Sequence, residues 1–221
     1  MQGALVRLRP ATREDIPELV KIRQTPEVYA RWRGGHDMVA AVEEDFGEPD
    51  VTAYVIELEG SVAGWIQWHA EEDPDYRHAG MDIYVDPAVH GRGVGTDAVR
   101  TLARHLFVEH DHHRLVIDPA ADNAAAIRCY GKAGFRPVGI MRRYERDPDG
   151  TWHDNLLMDL LVDELIDDPV LDQNCCRSRS AVDTPAPNRG VSTSTEPKPK
   201  PKEATHDPHR PQDSDSTRQA R

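Results

Sequence analysis

Residues 82 to 96 read Asp-Ile-Tyr-Val-Asp-Pro-Ala-Val-His-Gly-Arg-Gly-Val-Gly-Thr, and this stretch constrains the fold more than any other. Ile83 and Val85 alternate with other residue types, so 79–85 reads as a strand. Pro87 stops it, because proline cannot donate to a sheet ladder. Glycines follow at 91, 93 and 95, and from 94 to 108 the spacing turns helical, with Val94, Ala98, Leu102 and Leu106 on one face. A glycine turn that opens a helix leaves backbone N–H groups pointing outward, and the helix dipole favours an anion there. The physical reading is a pyrophosphate cradle, and its bland rival is an ordinary glycine-rich connection. Two familiar nucleotide loops do not fit. The NTPase loop needs a lysine and a Ser or Thr after its last glycine, whereas Thr96-Asp97 follows Gly95. The dinucleotide loop needs G-x-G-x-x-G, and these glycines fall at every second residue.

A second stretch, 114–135, narrows the choice. Leu115-Val116-Ile117 reads as a short buried strand stopped by Pro119. Asp122 or Asn123 can cap a helix over Ala124–Ala133, with Gly134 just past its end. Together, His90-Gly91-Arg92-Gly93-Val94-Gly95 and the run Asn123, Ala126, Tyr130, Gly134, Phe135 resemble the two cofactor-binding halves of the GNAT N-acetyltransferases. They stand in that family's order, with His90 in place of its usual Gln or Arg. The resemblance implies acetyl-CoA as co-substrate, held by Tyr84, Val85, His90, Gly91, Arg92, Gly93, Val94, Gly95, Thr96 and Asn123.

The rest of the chain fits one such domain. Val6–Arg9 reads as a strand, and Thr12 with Asp15 as a helix start in capping-box spacing. A helix over Met38–Phe46 precedes strands at Thr52–Leu58 and Ser61–Trp68, joined through Glu59-Gly60 as a hairpin. Strands at Pro137–Tyr144 and Trp152–Leu160 close the order β-α-α-β-β-β-α-β-α-β-β. The expected class is α/β (α+β): a GNAT fold with a mixed, mostly antiparallel sheet, splayed central strands and helices on both faces. The expected domain is 1–166. Residues 167–221 hold no Phe, Tyr or Trp and a Pro-Lys repeat at 197–202, so they read as a disordered tail. Lys and Arg balance Asp and Glu there at nine each, so the whole formal −12 falls on residues 1–166. A strongly acidic domain disfavours nucleic acid and anionic membrane as partners and favours a cationic substrate, with solubility as the bland alternative. The start of the chain has no long apolar run, and the three cysteines show neither a disulfide framework nor metal-ligand spacing. The expectation is a cytoplasmic protein without metal, a monomer or homodimer.

Several local runs resemble the aminoglycoside 6′-N-acetyltransferases over about residues 5–160: Trp32-Arg33-Gly34-Gly35, Val51-Thr52-Ala53-Tyr54, Gly64-Trp65-Ile66-Gln67, Gly80-Met81-Asp82, and Asp118-Pro119 through Arg128-Cys129-Tyr130. Amine acetylation needs a base for the substrate ammonium, an oxyanion donor and an acid for the departing thiolate. The resemblance assigns Asp118 as base and Tyr130 as acid. Asp82, Trp32 and Tyr54 are expected at the substrate, and the Val85 N–H at the oxyanion. Each has a structural rival: a turn at Asp118-Pro119, an exposed strand position at Asp82, core packing for Tyr130, and burial for both aromatics. His105, His110, His112 and His113 show no ligand pattern and read as a solvated helix end. Transfer to another amine, such as a protein N-terminus or a siderophore precursor, and a non-catalytic acetyl-CoA-binding module are the competing functions.

Overall fold

The computed structural model describes residues 1–32, 37–147 and 150–165. The tail expected over 167–221, the Arg33-Gly34-Gly35 run and the Pro148-Asp149 turn lie outside the described residues.

Seven strands form one sheet in the order β1-β2-β3-β4-β5-β7-β6. They are β1 (Val6–Pro10), β2 (Val51–Leu58), β3 (Ser61–Glu71), β4 (His78–Val85), β5 (Arg114–Ile117), β6 (Arg136–Arg146) and β7 (Trp152–Leu161). The helices are α1 (Ile16–Arg23), α2 (Pro26–Tyr29), α3 (Met38–Asp45), α4 (Val94–Val108) and α5 (Ala124–Ala133). Beyond the sequence expectation, α2 adds a single turn opened by Pro26, and short 3-10 turns stand at Arg13–Asp15, Pro87–Val89 and Val162–Leu165.

Strand alternation divides the core in two. Ile56, Ile66, Met81, Leu115 and Leu160 face α4 and α5 with Leu102 and Leu106. Val55, Trp65 and Tyr84 face the other way and pack with Leu19 and Ile22 of α1 and Val42 of α3. Every neighbouring strand pair is antiparallel except β4 and β5. That parallel pair holds only at Ala79 with Leu115 and Gly80 with Val116, and beyond it the strands part. A break in a sheet leaves backbone groups without ladder partners, which a ligand can use.

Close approach is enforced next to this gap by Gly64, where a Cβ would lie 2.3 Å from the Tyr84 carbonyl oxygen. Only glycine lets β3 run so near the end of β4. The β1–α1 entry is fixed by charge. Asp15 reaches back to the Thr12 N–H at 2.9 Å and accepts two bonds from the Arg9 guanidinium, at 2.7 and 2.5 Å. Arg9 therefore holds the buried Asp15 carboxyl below the usual carboxylate range. A depressed folded-state pKa contributes stability above the unfolded value, and that contribution is lost as pH falls through it. We expect Asp15→Asn to destabilise by about 2 kcal/mol near neutral pH. Thermal unfolding of variant and parent should converge below about pH 4, and an equal deficit at pH 3 would contradict the ion-pair account.

Candidate active site

The site grows out of the parted strands. Asp82 stands two residues beyond Gly80, and Asp118 two residues beyond Val116, so the last registered pair places both on the same face and on opposite lips of the gap. The same alternation adds Gln67 and His69 of β3, registered against Asp82 and Gly80. The Trp65 Nε1–H donates to Gln67 Oε1 at 2.9 Å, and Gln67 Nε2 donates to Asp82 Oδ2 at 3.3 Å. A Cβ on Gly80 would sit 2.5 Å from the His69 ring, so glycine makes room for the imidazole beside the two acids. On the far lip Asn155 Nδ2 donates to Asp118 Oδ2 at 3.1 Å and to the Asp118 carbonyl at 2.9 Å.

Both carboxyls are pushed above the ordinary range, mainly by burial. Asp118 is raised further by the charges of Asp82 and Glu145, while the Asn155 bond and His69 pull it down. Gln67 and His69 do the same for Asp82. Tyr130 comes from α5, beneath the opposite face of the sheet. It is buried, at 7% exposure, and burial together with Cys129 and the two aspartates keeps its phenol neutral. A neutral phenol can donate a proton. Tyr144 of β6, 55% exposed, is also held neutral, first by the charge of Asp118 and then by burial and Asp82. The bulge that carries it between Met141 and Glu145 includes Arg143 at φ 51°, whose N–H donates to Asp154 Oδ1 at 2.8 Å.

The glycine turn lies past the end of β4. Gly91 and Gly93 adopt φ of 76° and 87°, and Gly93 caps α4 in the left-handed region. There L side chains are strained, while the first-turn N–H groups of α4 stay free of side-chain caps. Gly95 packs on α5, since a Cβ there would be 3.2 Å from Cys129 Sγ, and Thr96 Oγ1 is 3.3 Å from the same sulfur. Val94 is buried under the helix and Arg92 is exposed, 3.5 Å from Glu59. His90 turns back, its Nε2 2.9 Å from the Val85 carbonyl. The Asp86 N–H donates to Ala63 on the β3 side, so alternation turns the Val85 peptide toward the gap. Asn123 spends its side-chain oxygen capping α5 at the Ala126 N–H, which leaves Asp118 free of that task.

Three expectations need correction. Tyr54 does not face the acids. It is registered against Ile66 and packs 6.4 Å from His105 on the α4 side, because one residue of strand offset reverses the face. The Tyr84 side chain is core, edge-on to Trp32 at 5.0 Å, and alternation turns its backbone toward β3, so Tyr84 does not face the gap. Of the four histidines read as a solvated helix end only His113 is exposed: His112 is buried, and His110 packs 4.7 Å from the Trp68 ring with its Nε2 3.2 Å from that of His105. Trp32 stays on the acid-bearing face, half-buried. Gln67, His69, Tyr144, Glu145 and Asn155 were missed as site residues. Alternation from Asp82 could have found the first two. No local signal marks the others, which depend on how β6 and β7 fold back. Among the described residues no cluster of three or more His, Cys, Asp or Glu can hold a metal ion, and no helix is long and apolar enough to cross a membrane.

A glycine-opened helix, parted parallel strands, paired acids and a neutral phenol thus stand around one gap in the sheet. The chain belongs to the GNAT acetyltransferases: the sequence model of the acetyltransferase (GNAT) domain matches residues 6–136. It is 31% identical over 164 residues to the aminoglycoside N(6′)-acetyltransferase type 1 of Klebsiella pneumoniae, covering 66% of this chain and 79% of that one. It is 39% identical over 84 residues to a kanamycin resistance protein of Rhizobium radiobacter, covering 38% of this chain and 72% of that protein. The structure of AAC(6′)-Ib with paromomycin and acetyl-CoA superposes with a TM-score of 0.63 at 27% identity, over 75% of this chain and 98% of that one. This chain is thus an N-acetyltransferase enzyme of the GNAT type.

Proposed function

We propose that this enzyme transfers the acetyl group of acetyl-CoA to the 6′-amine of an aminoglycoside. Carrying the proposal is the pair of half-buried carboxylates, Asp82 and Asp118, on the two lips of the gap, with the neutral Tyr130 beneath the other face. Two partly desolvated acids, the charge of Asp82 raising the proton affinity of Asp118, favour a cation bound between them. The names of the relatives support an aminoglycoside, and the acidic domain supports a cationic substrate of any kind.

The steps assign one role to each group. Backbone N–H groups of residues 91–96, with that of Val85, receive the cofactor, and Asp82 binds the ammonium. Asp118 takes one ammonium proton, directly or through a water, and the freed amine attacks the thioester carbonyl. The Val85 N–H meets the oxyanion. As the C–S bond breaks, the attacking nitrogen sheds its second proton to solvent, and Tyr130 gives its own proton to the CoA thiolate and regains one from solvent. A base shifted up toward the working pH takes the proton more readily than an ordinary carboxylate.

A thiol-release assay tests the substrate. Kanamycin-type aminoglycosides with a free 6′-amine should turn over, and analogues lacking that amine should not. Equal turnover of the analogues would overturn the regiochemistry. Turnover of a polyamine, a peptide N-terminus or a biosynthetic amine, with no aminoglycoside acetylated, would overturn the substrate.

A further inference from the structure

We infer that Asn155 is a positioning residue for Asp118, its side-chain amide fixing the orientation and the charge state of that carboxylate; the inference rests on the reading of Asp118 as the base. Asn155 sits in the middle of β7, 4% exposed, on the face opposite Leu156, Met158 and Leu160. Its Nδ2 donates to both the main chain and the side chain of Asp118. No other described group donates a hydrogen bond to that carboxylate. The surrounding backbone is tied to the same loop: the Leu156 N–H donates to Pro119 and the Ala121 N–H to Asp154, each at 2.8 Å. Asn155 also bridges Ala120. The amide therefore has little room to turn.

As a purely structural choice, Asn155 is a poor one. Its Oδ1 is buried with no hydrogen-bond partner among the described residues. Such an orphan costs stability, and an apolar side chain at this strand position would avoid the cost. The benefit falls on Asp118. Burial, Asp82 and Glu145 all favour its protonated form, which cannot accept the substrate proton. An amide donor opposes them at every pH, because it does not titrate. A carboxylate at 155 would offer no donor and would add a like charge.

The test uses the full-length enzyme with Asn155→Leu and Asn155→Asp, and follows kcat at saturating substrate from pH 5 to 9. Losing a hydrogen bond to a charged acceptor should move the acidic limb of the profile up by about one to two pH units. Asn155→Asp should shift it at least as far, with the KM for acetyl-CoA unchanged. A folded variant that binds acetyl-CoA and keeps the parental acidic limb would overturn the inference. If Asn155→Leu does not fold, the near-isosteric Asp variant decides alone. Asp118→Asn separates the two readings. If it retains full activity, the base assignment fails. If it loses activity while both Asn155 variants keep the parental limb, only the positioning role fails.

Discussion

Asp118→Asn is expected to lower kcat by a factor of about 10²–10⁴, the usual loss for a general base. Acetyl-CoA binding should persist, because the cradle is built from backbone on the other side of the gap. The change is nearly isosteric, and Asn155 keeps the Asp118 main-chain carbonyl as an acceptor, so folding should be little affected. Asp82→Asn should behave differently. It removes a charge contact present in both ground and transition states, so it should act mainly on the KM for the amine substrate. That effect should fade at high salt, where the attraction between charges is screened. In the parent enzyme kcat should rise with pH as Asp118 ionises, with a midpoint above the ordinary carboxylate range, since burial and Asp82 both raise it. A variant lacking the Asp118 carboxylate that keeps parental kcat across this range would leave the aspartate with only its structural rival, the turn before Pro119.

The second large effect is expected at the cofactor turn. Gly93→Val should raise the KM for acetyl-CoA by roughly 10- to 100-fold, the cost of losing one or two charge-assisted hydrogen bonds. The obstacle is the backbone more than the space. A Cβ at Gly93 would meet only Leu5 Cδ1 at 3.4 Å, an ordinary contact, but φ is 87° and a β-branched residue resists it. Relieving that strain swings the peptides that open α4 away from the phosphate path. Gly131→Ala is the control. It lies in α5 with nothing within 4 Å of a new Cβ, so it should leave the KM unchanged and slightly stabilise the helix. A folded Gly93→Val enzyme with parental KM would sink the cradle.

What could be read from the sequence alone was local. The turn at residues 91–95 and the caps at Asn123 and Gly134 are matters of φ and of a side-chain oxygen one turn from its N–H, and neighbouring residues decide both. The strands and helices followed from periodicity, and α5 matches its expected ends, Ala124–Ala133. Asp118 could be placed one residue past a strand that periodicity marked, and Asp82 within another, while the roles expected of them came from the resemblance. Which face a side chain takes was less secure. Tyr54 fell on the α4 side and the Tyr84 ring in the core, since a strand shows two faces and only its partners decide which one meets the substrate. The histidines needed the tertiary structure too: Trp68, on a strand far off in sequence, buries His112 and packs His110. Tertiary structure alone supplied the neighbours of Asp118 on the second lip of the site. Asn155, Tyr144 and Glu145 reach Asp118 only because β7 inserts between β5 and β6, a pairing set by packing of the whole sheet and by no residue next to them in the chain. The charge state of the acids follows from that same closure, because burial, absent from any linear pattern, is the largest influence on both.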